Sequence, residues 1–257
     1  MFDFDGKKYA GSSAHQKEWG SRLIGELSLQ GDERVLDLGC GDGALTARIA
    51  AIVPQGYVLG IDSSPGMIEA TKKYQESNLS FALMDINTLS FHEDFDVVFS
   101  NATLHWVHDH ELLLANIFRS LSPGGVARLN FGGEGNCRNF LRTVKEEMVR
   151  DCYLPYFTDF TWPWFMPSEN DYRQLVNRFP FREMKVWLEN ADRYFPNADA
   201  LTGWIDQPSI VPFLKQIDGP DRQSFRDTVV RRMIDLTRQP DGTFFETFRR
   251  INVFARK

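Results

Sequence analysis

Residues Arg34 to Gly43 read Arg-Val-Leu-Asp-Leu-Gly-Cys-Gly-Asp-Gly, and no other stretch of the chain restricts its possible folds so tightly. Val35, Leu36 and Leu38 form an apolar run suited to a strand buried on both faces. Gly39, Gly41 and Gly43 then release the backbone from Cβ sterics, so that it can turn sharply and let a ligand approach closely. From Ala44 the spacing of Ala44, Leu45, Ala47, Ile49 and Ala50 predicts a helix that stops near Pro54. Strand, glycine turn and helix together make a ligand-binding element. The helix N-terminus offers unpaired N–H groups and partial positive charge to an anionic group.

The spacing also narrows the ligand. A second strand, Tyr57 to Ile61, ends in Asp62, which follows Gly43 by 19 residues. An acid about 20 residues beyond such a turn is placed to accept both ribose hydroxyls of a nucleoside. A dinucleotide turn reads G-x-G-x-x-G, whereas this one reads G-x-G-x-G behind an acid, Asp37. A carboxylate at Asp37 suits a pyrophosphate poorly. It suits a ligand that carries an amine and a sulfonium, with its own carboxylate turned to the helix N-terminus, and this chemistry points to S-adenosylmethionine.

Asp37 to Gly43 followed by Gly60-Ile61-Asp62-Ser63-Ser64-Pro65-Gly66-Met67 resembles the class I S-adenosylmethionine-dependent methyltransferases. Among them the chain is most similar to the trans-aconitate methyltransferase group of small-molecule methyltransferases. Ser100 to Val107 and Leu121 to Val126 carry the match further, and Ala200 to Ile205 and Arg249 to Lys257 extend it more loosely into the C-terminal half. The resemblance implies an α/β fold: a Rossmann-like sheet, mostly parallel with its last strand antiparallel, helices on both faces, and a helical, aromatic cap. Residues 1–132 would form the cofactor-binding core with an N-terminal flap. Residues 133–257 would supply an acceptor-binding cap insertion and C-terminal strands that complete the same sheet.

Open parallel sheets bind ligands beyond the carboxyl ends of their strands, and Asp37, Asp62, Asp85 and Asn101 all fall at or beside such ends. Gly39, Cys40, Gly41 and Ser63 adjoin them. The resemblance implies that Met67 lies against the adenine, that Asp85 bonds its amine and that Ile86 packs on the ring. On the residues alone, Met67 also fits a core position and Asp85 a turn. The candidates for contact with the acceptor are Tyr9, Trp106, Arg138, Trp162 and Trp204; the resemblance implies that an N-terminal segment, which would include Tyr9, covers the cofactor and that the insertion after strand five builds the acceptor pocket. Tyr9 equally suits an aromatic that anchors a flap.

Ser12 or Ser13 can cap a helix that runs to about Leu29, with Trp19, Leu23, Ile24 and Leu27 as its buried stripe. Ser63 or Ser64 with Pro65 starts another helix. Further strands are predicted at Leu79–Met84, Phe95–Ser100, Val126–Phe131 and Met184–Leu188, and further helices at 111–121, 138–151, 198–205, 211–217 and 222–236. Phe244-Phe245 and Ile251 to Ala255 are expected to close the sheet. Between them, Tyr153 to Phe165 interleaves aromatics with prolines, a composition suited to a rigid apolar lid as well as to plain core.

His105, His108 and His110 invite a metal reading, but their spacing fits neither an i, i+4 pair nor a C-x-x-C framework, and a solvated turn before a helix accounts for them. His105 follows strand four, where it could take a proton from an acceptor or serve as a packed wall beside Trp106. A carboxylate acceptor needs no base, because it is ionised at pH 7 with a pKa of about 4. It needs a basic clamp, for which Arg138, Arg142 and Arg173 are candidates. A phenol or amine would move His105 forward. Small-carboxylate O-methylation follows from the resemblance, and the large aromatic lid would also accommodate a bulkier acid.

The remaining bounds are compositional. At 257 residues the chain can bury a sizeable core. Acidic residues outnumber basic ones, 35 to 29, with no basic block, so nucleic acid is not an expected partner. Cys40, Cys137 and Cys152 lack metal or redox spacing, no stretch reaches membrane-spanning length, and no signal core opens the chain. These features predict a cytoplasmic monomer or homodimer that takes a small-molecule methyl acceptor, without a membrane partner. Two other classes share parts of the pattern: a NAD-dependent oxidoreductase, and a non-catalytic S-adenosylmethionine-binding protein.

Overall fold

The computed structural model describes residues 14–257, so Tyr9 lies outside the described residues. In chain order the elements are α1 (Ala14–Gly25), β1 (Arg34–Leu38), α2 (Ala44–Ile52), β2 (Tyr57–Asp62), α3 (Pro65–Thr71), β3 (Leu79–Leu83), β4 (Phe95–Asn101), α4 (His110–Ser120), β5 (Leu121–Gly132), α5 (Arg138–Met148), α6 (Glu169–Val176), β6 (Glu183–Asn190), β7 (Arg193–Phe195), α7 (Ala198–Trp204), α8 (Val211–Leu214), α9 (Asp221–Thr237), β8 (Phe244–Glu246) and β9 (Arg249–Arg256). The chain divides into two compact units. Among the described residues, one holds 14–134, 164–189 and 250–257, the other 135–163 and 190–249.

A seven-stranded sheet in the order β3-β2-β1-β4-β5-β9-β6 organises the first unit. β1 pairs parallel with β2 and β4, β2 with β3 and β4 with β5, whereas β9 runs antiparallel to β5, as the sequence predicts for the closing strand. The central strands are apolar on both faces because helices cover both. Val35, Val58, Val97 and Phe99 pack with Leu23, Ile24, Ile49 and Val53 on one face. Leu36, Leu38, Ile61, Val98 and Leu129 pack with Leu113, Ile117, Tyr172 and Val176 on the other. Consecutive residues of β1 and β4 therefore serve opposite layers. α1 ends at Gly25, short of the expected Leu29, and Ser28 beyond it takes a positive φ of 50°.

In the second unit, β7 and β8 form a separate antiparallel ribbon, with Tyr194 opposite Phe245. This corrects the expectation that Phe244-Phe245 joins the main sheet. Phe244 has its bridge partners in Phe195 and Arg238, residues of this same unit. Packed aromatics supply much of the unit's core. Trp204, 3% exposed, is ringed by Phe140, Phe195 and Phe248 at centroid distances of 5.7, 5.5 and 5.6 Å. Phe225 packs on Tyr153 and Phe157, and Phe213 on Trp162. The pairs of Trp204 with Phe140 and Phe248, Phe225 with Tyr153 and Phe213 with Trp162 are edge-on, a geometry that adds about 0.5–1.5 kcal/mol each beyond the area buried.

One buried acid holds the start of α5. Cys137, its N-cap residue, gives no side-chain cap. Instead Glu246 on β8 accepts the N–H groups of Asn139 (3.1 Å), Phe140 (2.9 Å) and Thr247 (2.7 Å). Burial raises the pKa of this carboxyl and the three N–H donors pull it back down. Glu246→Ala strands those donors, so it should destabilise the fold by about 1–3 kcal/mol, seen as a lower urea midpoint with an unchanged slope.

Candidate functional site

Beyond the carboxyl end of β1 the chain turns back on β2. The N–H groups of Gly39 and Cys40 both donate to the Ile61 carbonyl, at 2.8 and 2.9 Å. Gly39 has a φ of +75°, and a Cβ there would lie 2.1–2.5 Å from the Thr103 side chain. Glycine is therefore required both by conformation and by space. Thr103 in turn donates its hydroxyl to the Gly39 carbonyl at 3.1 Å, tying this loop to the one after β4.

Asp62, at the end of β2, is the junction of the rim. Its Oδ2 accepts the Gly41 N–H at 3.0 Å, and its Oδ1 accepts the Ser64 N–H at 2.9 Å. Burial raises its pKa, and the N–H groups of Ser64, Gly41 and Ser63 oppose the rise. Asp37 lies deeper, 2% exposed, with its Oδ2 accepting the Thr46 hydroxyl at 2.7 Å. Burial lifts its pKa from 3.8 to about 7; the Thr46 bond lowers it, and the charge of nearby Asp62 adds to the rise. Two acids thus converge under the glycine loop, an environment that favours a cationic ligand group. Cys40 is buried beside them, and burial, with Asp37 and Asp62, pushes its thiol pKa well up.

The remaining positions follow or close the carboxyl ends of β2, β3 and β4. Ser64 caps α3, accepting the Met67 N–H at 3.4 Å, which leaves Met67 buried on the helix's inner side and Ser63 half-buried before it. Asp85 accepts the backbone and side-chain N–H groups of Asn87, so it caps the short turn Ile86–Thr88, in which Ile86 is buried. Asn101 closes β4 opposite Asn130 of β5, and Ala102 after it has a φ of +61°.

The Leu104–Trp106 turn follows. His105 accepts the Gly132 N–H on Nδ1 at 3.4 Å, and Trp106 packs edge-on against Trp164 at 5.4 Å. Burial, then the charges of Arg250 and His110, drives the His105 pKa down to about 3. His110 departs from the expected solvated turn. It is 2% exposed, with Nε2 against the Leu104 carbonyl at 3.0 Å and Nδ1 against the Tyr172 hydroxyl at 2.9 Å. Since Leu104 can only accept, Nε2 carries the proton and Tyr172 donates to Nδ1. Burial holds His110 near a pKa of about 4. Among the described residues, no group of three His, Cys, Asp or Glu side chains could hold a metal ion, and no helix is long and apolar enough to cross a membrane.

Asp37, Gly39, Cys40, Gly41, Asp62, Ser63, Met67, Asp85, Ile86, Asn101, His105 and Trp106 all belong to the first unit. Arg138, Trp162 and Trp204 belong to the second. There Arg138 is exposed, Trp162 lies under the Lys145 ammonium at 4.8 Å, and Trp204 is enclosed by rings. Of the other arginine candidates, Arg142 is exposed, and Arg173 is paired with Glu169 and the Val186 carbonyl. Sequence reading missed Thr46 and Arg250. Each carries a signal: a polar residue on the buried side of a helix, and a charge inside an apolar closing strand.

Residues 35–125 match the family profile of a methyltransferase domain. The chain is 32% identical over 199 residues to a trans-aconitate 2-methyltransferase of Deinococcus radiodurans, covering 76% of each protein. The chain belongs to the class I S-adenosylmethionine-dependent methyltransferases, in the trans-aconitate methyltransferase family. A trans-aconitate 2-methyltransferase of Methylobacterium radiotolerans is 29% identical over 263 residues, spanning all of this chain and 99% of that one. Among solved structures, Haemonchus contortus phosphoethanolamine N-methyltransferase 2, in complex with S-adenosyl-L-methionine, superposes with a TM-score of 0.62 at 18% identity, over 98% of this chain and 56% of that one. The methyltransferase therefore uses S-adenosylmethionine, and a NAD-dependent oxidoreductase is excluded. The glycine cradle, with Asp62 at its edge and Asp37 beneath it, fits such a ligand: hydrogen-bond acceptors at the rim and negative charge below.

The Asp37 shift has a thermodynamic consequence. A carboxyl whose pKa rises from 3.8 to about 7 on folding favours the fold when protonated, so its contribution is present below about pH 4 and lost as pH rises through 7. Without ligand, Asp37→Asn should gain on the wild type by up to about 4 kcal/mol between pH 4 and pH 8, measured as urea stability at each pH. A difference that stays constant with pH would contradict the assignment.

Proposed function

We propose that this methyltransferase O-methylates a small-molecule carboxylate, in the cytoplasm. Asp62 accepts the ribose hydroxyls, Gly39, Cys40 and Gly41 line the cradle, and Asp37 faces the cationic part of the cofactor. Ser63, Met67, Asp85 and Ile86 border the adenine, and Asn101 borders the methyl group. Bound S-adenosylmethionine supplies an activated methyl group on a sulfonium. The protein aligns the acceptor in line with it and keeps water out.

The observation that carries the choice of acceptor is the hydrogen bond on His105, whose Nδ1 accepts the Gly132 N–H. In the neutral ring Nε2 then carries the proton, and neither nitrogen is left as a base. Pushed to a pKa of about 3 and accepting the Gly132 N–H, the imidazole is neutral and a poor general base at pH 7. A phenol or an ammonium would have to lose its proton to some group, whereas a carboxylate arrives ionised. His105 and Trp106 therefore act as walls on the acceptor side. Trans-aconitate is the acid named in the relatives above, and it heads the candidates.

The test is release of S-adenosylhomocysteine in the presence of a panel of carboxylic acids, phenols and amines. Carboxylates should be methylated and the others left unchanged. At saturating cofactor, kcat/KM for the acid should vary less than about threefold from pH 6 to 9. Activity on a phenol that climbs tenfold per pH unit, with no acid methylated, would overturn the proposal.

A further inference from the structure

His110 is a buried ring that the proposed chemistry leaves unused. It opens α4 directly after the Asp109 cap, yet it is enclosed. Its ring centroid lies 4.5 Å from that of Phe165 and 5.3 Å from those of Phe131 and Tyr172. Burial in that setting keeps the imidazole neutral. Both nitrogens are bonded, and the two bonds act in series. The hydroxyl of Tyr172, itself fully buried, donates to Nδ1 at 2.9 Å, and Nε2–H donates to the Leu104 carbonyl at 3.0 Å. An apolar ring could fill the same space, but it could not place a directed bond at each end.

Leu104 begins the turn that carries His105 and Trp106, and that turn is held at every residue. The Leu104 carbonyl also accepts the Val107 N–H at 3.0 Å, and the His105 carbonyl accepts the Phe165 N–H at 2.8 Å. Trp106 donates its N–H to the Thr103 carbonyl at 3.0 Å and lies edge-on to Trp164. The approach to the turn is held as well: the Ala102 N–H donates to the Asn130 carbonyl at 2.7 Å, and the Thr103 hydroxyl to the Gly39 carbonyl at 3.1 Å. A turn this short has few bonds of its own, so its outside partners decide how it is oriented. His110 is the side chain that takes its first carbonyl.

We infer that His110 and Tyr172 are positioning residues for the methyl acceptor: Tyr172 locks the imidazole, and the imidazole holds the Leu104–Trp106 turn in the pose that presents His105 and Trp106. The inference rests on His105 and Trp106 being walls of the acceptor site, as proposed above. It asks neither ring to exchange a proton. It asks that Nε2 keep its proton and aim it at Leu104. A wall touches the acceptor in the ground state and the transition state alike, so loosening it raises KM more than it lowers kcat.

The first test is the proton itself. Nitrogen NMR of the histidine-labelled wild type, loaded with S-adenosylhomocysteine at pH 7, should find His110 neutral and protonated on Nε2. The second is kinetic, with trans-aconitate or the panel acid that the wild type methylates best. His110→Leu, which has no donor for Leu104, should raise KM by about fivefold, with kcat and S-adenosylhomocysteine affinity held within about twofold. His110→Gln, whose amide can donate to Leu104, should recover most of that loss, and Tyr172→Phe should fall between the wild type and His110→Leu. Trp106→Ala tests the wall separately and should raise the same KM. A charged or Nδ1-protonated His110 in the wild type overturns the inference even if no variant folds. So does a KM unmoved in His110→Leu, or a rise matched by an equal loss of S-adenosylhomocysteine affinity, which marks a general loosening of the fold. In those cases a raised KM in Trp106→Ala leaves the wall reading standing. An unmoved KM there, or a wild type that methylates no acid, removes both.

Discussion

The rim of the sheet depends on one carboxylate held by two backbone N–H groups. Asp62 accepts from Gly41 on one side and from Ser64 on the other, so the loops after β1 and β2 are joined through a single side chain. The Ile61 carbonyl reinforces the junction by taking two N–H groups from the same glycine turn. A buried carboxylate is costly unless hydrogen-bonded, and these donors offset part of that cost. They also fix where its oxygens point. On the proposed reading, an acceptor with this orientation is what a ribose meets, and the fold supplies it before any ligand arrives.

A second polar layer runs between β5 and β9, where an apolar strand pair would be the simpler solution. Asn130 and Asn252 sit opposite each other in the ladder, and each bonds an arginine. Every amide oxygen and nitrogen in this layer with a described bond has a charged or amide partner, and Asn252 extends it to Glu189 at 3.1 Å. Fully bonded buried networks of this kind fix orientation more than they add stability. Here the orientation they fix is that of Arg250 and, through Ala102, of the turn that carries His105.

The first five strands and the glycine loop were legible because their signals are local. Apolar runs, alternate glycines and strand-end acids occur within a few residues of one another. The parts that were not legible depend on distant partners. His110 lies beside exposed His108 and Asp109, and it is buried only because Tyr172 and Leu104 meet it. Phe244-Phe245 has no alternation that chooses between two sheets, and its pairing with β7 is set by the chain's return some fifty residues later. Arg250 is a charge inside an apolar closing strand, and it is buried there only because Asn130, 120 residues away, accepts its guanidinium N–H groups. Asp37 was legible as a site acid, but its elevated pKa comes from depth beneath the loop, which spacing alone does not convey.

The central claim is that the Asp62 carboxylate, as held by Gly41 and Ser64, bonds the ribose hydroxyls of the cofactor. A double-mutant cycle on the ligand and the protein tests it most directly: calorimetric affinities of S-adenosylhomocysteine and its 2′,3′-dideoxy analogue for the wild type and for Asp62→Ala. The cycle removes whatever Asp62→Ala costs both ligands by loosening the two loops. The account predicts a coupling of about 1.5–3 kcal/mol, with the two ligands bound equally by the variant. Independent losses, with no coupling, would contradict it.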